Sequence, residues 1–267
     1  MPRETLLVER TGPVLTVAMH RPETRNALSP TMVRELTEVF DSTRRDAGVR
    51  IVVLSGAGGT FCAGGDLKGM DRSGAEAGAS QPAAASNRRF GALLELGDAL
   101  PQAVIALIEG AAMGGAAGLV AIADWAIMER SAQIGTPEVT VGLVPAQIAP
   151  FLAARIGYAQ ARRMASFGLR LGADEALRLG LVHELADGPD DLIAKGTRAV
   201  NQVLRCAPQA VAETKKLVRR CLREPLTRTL DDAAHVFAAA RAGEGREGIL
   251  AFREKRLPTW VVKVETL

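Results

Sequence analysis

Aromatic side chains are scarce in this sequence, with seven Phe, two Trp and one Tyr making up 4% of 267 residues. A core built on stacked rings is therefore excluded. The buried volume has to come from Ala, Val, Leu and Ile, and an apolar content of 48% is enough for a sizeable core. Cysteine is nearly missing too. Cys62, Cys206 and Cys221 are odd in number and show no CxxC spacing. That excludes a disulfide frame and leads to the expectation of a reducing, cytoplasmic setting. No His/Cys ligand cluster is present either, so no metal is expected. An excess of one charge is also lacking. The 33 basic and 30 acidic residues alternate and leave a net charge of +3. This disfavours nucleic-acid binding and mildly favours a small anionic ligand. Long unbroken apolar runs are absent. Residues 103–123 approach the length of a membrane span, but Glu109, Gly110, Gly114, Gly115 and Gly118 interrupt them, so no spanning helix is expected. The opening MPRETLLVER carries charges where a signal peptide would be apolar, and no export signal is expected.

What the chain does contain is glycine placed where strands end. Residues 104–108 read as a buried strand. Gly110 breaks it, and Gly114-Gly115 opens an apolar run of helical length over 116–123. A strand feeding a glycine-opened helix leaves bare N–H groups at the positive end of the helix dipole, with little side chain to hold off a ligand oxygen. A second glycine-rich turn, residues 56–68, follows an apolar strand at 50–55 and precedes a helix-like stretch. Two such turns can each supply one amide to the same oxygen. That is the geometry of an oxyanion hole, which stabilises a carbonyl oxygen gaining charge when an adjacent carbon is deprotonated or attacked. The chemistry then wants a carboxylate nearby. Glu138 is the candidate, since it follows a strand and sits among Pro137 and apolar residues. Such surroundings raise a carboxylate pKa and suit proton transfer near neutral pH.

The remaining stretches supply the frame. Residues 6–10 and 14–19 are β-type runs around Thr11-Gly12-Pro13, a hairpin signal. Ser29-Pro30 starts a helix carrying Met32, Val33, Leu36, Val39 and Phe40. Residues 71–88 are poor in large apolar side chains and read as a mobile surface loop, a flap over a pocket. A helix is expected over 90–100, a strand over 125–128, and a turn over 134–138. Helices are expected over 149–156, 159–166 and 173–179, and a last short strand over 180–184. Almost everything from 191 to 252 has helical spacing. Strand–helix units followed by helices predict an α/β fold with a helical C-terminal portion.

Several motifs in this order resemble the crotonase superfamily, the enoyl-CoA hydratase/isomerase family. They are RPETRNAL at 21–28, FCAGGDLK at 61–68, EGAAMGG at 109–115, Pro137-Glu138, GLV at 180–182 and FREKR at 252–256. The resemblance runs over nearly the whole chain. It implies a spiral of ββα units over 1–196 and a helical trimerisation region over 197–267, assembled as trimers or paired trimers. It implies an acyl-CoA thioester substrate, with no cofactor beyond that carrier, whose carbonyl sits between the amides of Gly65 and Gly115, with Glu138 as acid/base. Positions that would meet substrate or CoA are Arg25, Ala27, Ala63, Asp66, Leu67, Lys68 and Gly118. Phe252 and Lys255 match residues that reach a neighbouring subunit's CoA.

The chain departs from the family at one point. Typical hydratases have a second glutamate on the central helix, and Gly118 stands there. Gly118 and the stretches 143–151, 173–183 and 230–234 are similar to isohexenylglutaconyl-CoA hydratases of acyclic terpene breakdown, and a truncated residue 118 is expected to leave room for a bulky, branched acyl group. Two alternatives stay open: a Δ3,Δ2-enoyl-CoA isomerase, in which one carboxylate shuttles a proton, and a catalytically silent fold member that binds acyl-CoA or RNA. Among individual residues, Asp66 reads as a helix cap or a ligand contact, His183 as structural and Cys62 as packing. The basic stretch 214–228 reads as a solvated helix face.

Overall fold

The computed structural model describes residues 3–66 and 80–267. In chain order the strands are β1 (Leu6–Thr11), β2 (Val14–Met19), β3 (Ile51–Gly56), β4 (Ala103–Ile108), β5 (Ala111–Met113), β6 (Trp125–Glu129), β7 (Gln133–Gly135), β8 (Arg170–Gly172) and β9 (Glu184–Ala186). β1 and β2 form the expected antiparallel hairpin, and the remaining neighbours in the larger sheet, ordered β1-β2-β3-β4-β6-β9, are parallel. Parallel pairing needs crossovers, and crossovers cover both faces of the sheet. The side chains follow that rule. Val52, Leu54, Val104, Ala106 and Ile108 enter the main core, while Ile51, Val53, Ala103, Ile105 and Leu107 enter a second core on the opposite face. Burial on both faces is why these strands read as continuous apolar runs rather than alternating ones.

The helices are α1 (Pro30–Thr43), α2 (Ser80–Asp98), α3 (Gly115–Ala121), α4 (Ala149–Ser166), α5 (Ala173–Arg178), α6 (Pro189–Leu204), α7 (Pro208–Arg220), α8 (Leu226–Ala242) and α9 (Glu244–Arg253). α1 starts as its sequence signals predict. Ser29 Oγ accepts from the Met32 N–H at 3.1 Å, and Pro30 occupies the first turn. α4 is interrupted at Gly157 (φ 76, ψ 158), so the two expected helical segments meet at a kink. α6 runs through residue 196, where the core region was expected to end. Its Leu192, Ala199, Val200 and Leu204 form the helical side of the second core.

Two expectations need correction. Residues 80–88, expected within a loop, are the first turns of α2. Alanine is the strongest helix former, so the stretch can be helical without apolar periodicity. Residues 83–85 and 87–89 are exposed there, and the buried face begins only with Leu93 and Leu94. The rest of the expected flap, 71–79, lies outside the described residues. The last strand begins at Glu184 rather than at 180, because Gly180 (φ 74) is still turning the chain out of α5. Sequence reading also missed a small second sheet, β5-β7-β8. Three residues per strand are too few for an alternating pattern to register. β7 occupies part of the expected 134–138 turn, and a 3-10 helix, Pro137–Val141, follows it.

Candidate active site

The first glycine turn leaves β3 at Gly56 and runs beside two other segments. Cys62 bridges to β5: its N–H donates to Ala111 O at 2.8 Å, and Met113 N–H donates to Cys62 O at 3.0 Å. Gly65 bridges to Leu28. Leu28 N–H donates to Gly64 O at 2.8 Å, and Asp66 N–H donates to Leu28 O at 3.1 Å. The peptide groups on either side of Gly65 thus face Leu28, and in extended backbone the Gly65 N–H points the other way. It makes no hydrogen bond among the described residues.

The second turn follows β5. Gly114 (φ 56, ψ −120) adopts a conformation that only glycine holds without strain, and its N–H donates to Gly135 O at 2.8 Å. Gly115 then opens α3. As the first residue of a helix it has no intrahelical acceptor, and its N–H also lacks a partner among the described residues. The two turns touch. A Cβ placed on Gly64 would stand 3.1 Å from Met113 O, and one on Gly114 would stand 3.9 Å from Gly64 Cα. β5, unseen in the sequence, is the strip that joins them.

Glu138 reaches the same place from the 3-10 helix after β7. Its Oε1 lies 2.9 Å from where a Gly114 Cβ would be, so the carboxylate rests against the second glycine turn. Its Oε2 is buried without a hydrogen-bond partner among the described residues. Burial pushes the Glu138 carboxyl above its ordinary pKa, and a bond from its own backbone N–H offsets this only in part. A desolvated carboxylate with an unengaged oxygen is a competent proton acceptor and, once protonated, a competent donor.

The walls are apolar, and they come from side chains that the sequence reading did not place at the site. A Cβ on Gly115 would meet Leu28 Cδ1 at 2.7 Å and Phe90 Cζ at 3.0 Å. The helical periodicity of α2 shows that Phe90 faces inward, but not that it reaches Gly115. Gly118 overturns an expectation. It is buried, and a Cβ there would lie 2.6 Å from Ile148 Cγ2 and 3.0 Å from Leu94 Cδ1. The space expected for a branched acyl group is already filled by these two side chains. A carboxylate at residue 118 would have to displace Ile148.

The other expected positions sit as follows. Asp66 is paired, with its Oδ2 3.1 Å from Arg21 Nη1. Arg25 is exposed with φ 53, and its carbonyl accepts from Ala63 N–H at 2.9 Å. Ala27 is buried beside Leu28, and its carbonyl accepts from Arg21 Nη1 at 2.8 Å. Leu67 and Lys68 lie outside the described residues. Phe252 and Lys255 stand exposed at the end of α9, which packs chiefly on α8. His183 Nδ1 accepts from Ala126 N–H at 2.9 Å, and burial, then the Arg155 charge, push its pKa down to about 4. The ring is therefore neutral and tied to β6. The Cys62 thiol, pushed up to about 12 by burial, is no thiolate and packs in the core, as expected. Among the described residues there is no group of three or more His, Cys, Asp or Glu able to hold a metal, and no helix long and apolar enough to cross a membrane.

A family model described as enoyl-CoA hydratase/isomerase matches residues 9–263. The chain belongs to the enoyl-CoA hydratase/isomerase family. Its fold is the crotonase fold, and it is an enzyme of the hydratase or isomerase type. An enoyl-CoA hydratase/isomerase from Marinobacter aquaeolei is 46% identical, with a TM-score of 0.92 over 97% of this chain and 99% of that one. The protein AtuE of Pseudomonas aeruginosa is 48% identical, with a TM-score of 0.94 over 97% of this chain and 100% of that one. An enoyl-CoA hydratase of Mycobacterium tuberculosis is 32% identical over 265 residues, 95% of each chain. An acyl-CoA substrate is consistent with this family.

Proposed function

We propose that the protein adds water to a branched 2-enoyl-CoA of the isohexenylglutaconyl-CoA type, using two backbone amides and one glutamate. The observation that carries this reading is the seating of Glu138 against Gly114, where two adjoining glycine turns present the Gly65 and Gly115 N–H groups, which have no partner among the described residues. The thioester oxygen accepts from the Gly65 and Gly115 N–H groups, which draws electron density from C3. Water adds its oxygen to C3 while Glu138 takes one of its protons. The electron pair of the double bond moves to the thioester oxygen as an enolate held by the two amides. Glu138, now protonated, returns the proton to C2, so the elements of water are added and the carboxylate is regenerated. The reaction uses no metal and no cofactor beyond the CoA carrier.

Branching is supported by the likeness of residues 143–151, 173–183 and 230–234 to that branch of the family. A second support is the loop tied to the catalytic turn by the Leu143 N–H bond to Glu138 O at 3.0 Å. Its Val141, Leu143 and Val144 are exposed, and they offer a broad apolar rim in place of the filled space at Gly118. Arg25 and Lys68 would meet CoA phosphates, Ala27, Ala63, Asp66 and Leu67 would line the carrier's path, and Phe252 and Lys255 would reach it from a neighbouring subunit. A trimer or paired trimers in the cytoplasm fits the apolar residues left exposed on α8 and the free cysteines 206 and 221.

One observation favours a second reading, that of a Δ3,Δ2-enoyl-CoA isomerase. Ile148 and Leu94 occupy the space where a second carboxylate would stand, and a single base suffices to carry a proton from C2 to C4. Absorbance of the conjugated thioester separates the two. Hydration removes it from a 2-enoyl-CoA, and isomerisation creates it from a 3-enoyl-CoA. Faster loss from branched than from straight 2-enoyl-CoAs supports the proposal. Gain from 3-enoyl-CoA alone makes the enzyme an isomerase. Flat traces from both substrates would leave an acyl-CoA binder without chemistry.

A further inference from the structure

We propose that Arg21 and Asn26 are positioning residues that fix the direction of the Gly65 N–H, so that polarisation of the thioester depends on two side chains that do not touch it. The inference rests on the reading of Gly65 as one of the two donors.

The segment carrying Gly65 is weakly held by regular structure. Residues 61–66 join their neighbours through two single-residue bridges, Cys62 to Ala112 and Gly65 to Leu28, and through single bonds from Phe61 N–H to Glu109 O and from Ala63 N–H to Arg25 O, each 2.9 Å. Between these bridges lies Gly64 at φ +107, a conformation open chiefly to glycine, and the peptide between Gly64 and Gly65 is held to segment 21–28 by the Leu28 N–H bond to Gly64 O at 2.8 Å. Rotation of the peptide between Gly64 and Gly65 would turn the N–H away from a bound oxygen. The bracing comes from segment 21–28. Asn26 is fully buried and spends its side chain on both flanks. Its Oδ1 accepts from Arg21 N–H at 2.8 Å, and its Nδ2 donates to Ala57 O at 2.8 Å and Thr60 O at 2.6 Å. These carbonyls lie where the glycine turn leaves β3. Arg21 holds the far side: its Nη1 donates to Ala27 O at 2.8 Å and to Asp66 Oδ2 at 3.1 Å. The residues immediately before Leu28 and immediately after Gly65 are thus pinned by one guanidinium. Arg25 and Asn26 are held with φ 53 and 57, a left-handed pair that persists only where the surroundings impose it. The common effect of the Asn26 and Arg21 bonds is to fix the loop whose N–H faces away from Leu28.

The test uses the full-length enzyme and para-dimethylaminocinnamoyl-CoA, whose long-wavelength band moves to the red when its thioester carbonyl is polarised. Arg21→Ala and Asn26→Asp are expected to lose about 10- to 100-fold in kcat, the scale of a misplaced catalytic group, with KM within about 3-fold. The band of the bound probe moves back toward its position in water, and Arg21→Lys recovers part of both kcat and the red shift. Glu35→Gln is the remote control. Its carboxylate accepts from Glu4 N–H, Thr5 N–H and Thr5 Oγ1, so the substitution loosens the N-terminus and leaves the red shift intact. Should Asn26→Asp fail to fold, the two Arg21 variants carry the test. A full red shift in the Arg21 variants overturns the proposal whatever the activity, as does a red shift that falls equally in Glu35→Gln. Absence of a red shift in the wild-type complex would instead remove Gly65 as a donor, and the brace with it.

Discussion

All six residues of β4 are buried, whereas between residues 208 and 253 only Thr229 and Ala251 are. The spiral and the three helices that follow it solve different problems. In the spiral, β3 and β4 bury side chains of both faces within the same chain, and the two glycine turns meet there with Glu138 against Gly114. From α7 through α9 the apolar residues Val218, Leu222 (between α7 and α8), Leu226, Leu230, Phe237 and Phe252 are exposed. Helices of this length owe their stability to packing of an apolar face rather than to propensity, so a face left open calls for a partner. The comparison teaches that the spiral buries its apolar side chains within one chain, whereas the last three helices do not. We propose that copies of the chain cover α7–α9, while the acid/base and both donors belong to the spiral alone.

The sharpest way to break that separation is at Glu138. Glu138→Gln should lower kcat by about 10²- to 10⁴-fold, the range for loss of a general acid/base. Sedimentation should show the assembly unchanged. Full retained activity would remove Glu138 from the chemistry. The reciprocal substitution is Leu230→Glu with Phe237→Glu, expected to weaken self-association by at least about 10-fold. A sedimentation profile identical to wild type would show that α8 is not the assembly face. Filling the helix at Gly118 acts on the spiral alone. Gly118→Leu would collide with Ile148 and Leu94 and should destabilise by about 1–3 kcal/mol, read as a lowered melting temperature with the same subunit stoichiometry. An unchanged melting temperature would mean that the wall at 118 is open after all.

The smallest effects concern pH, where two groups of the spiral pull in opposite directions. The folded Glu138 carboxyl is raised above 4.5, so the folded state is the better proton binder there. Its contribution is favourable at low pH and is lost as pH rises through the raised value. Glu138→Gln should therefore raise the melting temperature at neutral pH, with the gain shrinking as pH falls toward 4.5. The kcat/KM of the wild type should fall as pH drops through the raised value, because the base is then protonated. His183 is lowered from 6.5 to about 4, so its contribution is present above 6.5 and is lost as pH falls toward 4. His183→Gln should flatten that acid limb in thermal melts and leave the kcat/KM profile unmoved. A shift of the profile would give the imidazole a part in the chemistry.

What the sequence determined by itself are the features encoded within a few residues of chain. Ser29-Pro30 starts α1, Thr11-Gly12-Pro13 turns the first hairpin, and a strand running into Gly114-Gly115 opens α3. Each depends on backbone conformation and on side chains one turn away, and those are written in adjacent letters. Tertiary structure alone decided which segments meet. That β5 would lace Gly64 against Gly114, and that Arg21 and Asn26 would brace the first turn, depended on contacts between residues far apart in the chain. So did the filling of Gly118 by Ile148, which reversed the expectation drawn from glycine's missing side chain. A residue's own size fixes the space it leaves, but close packing of the whole core fixes what moves into it.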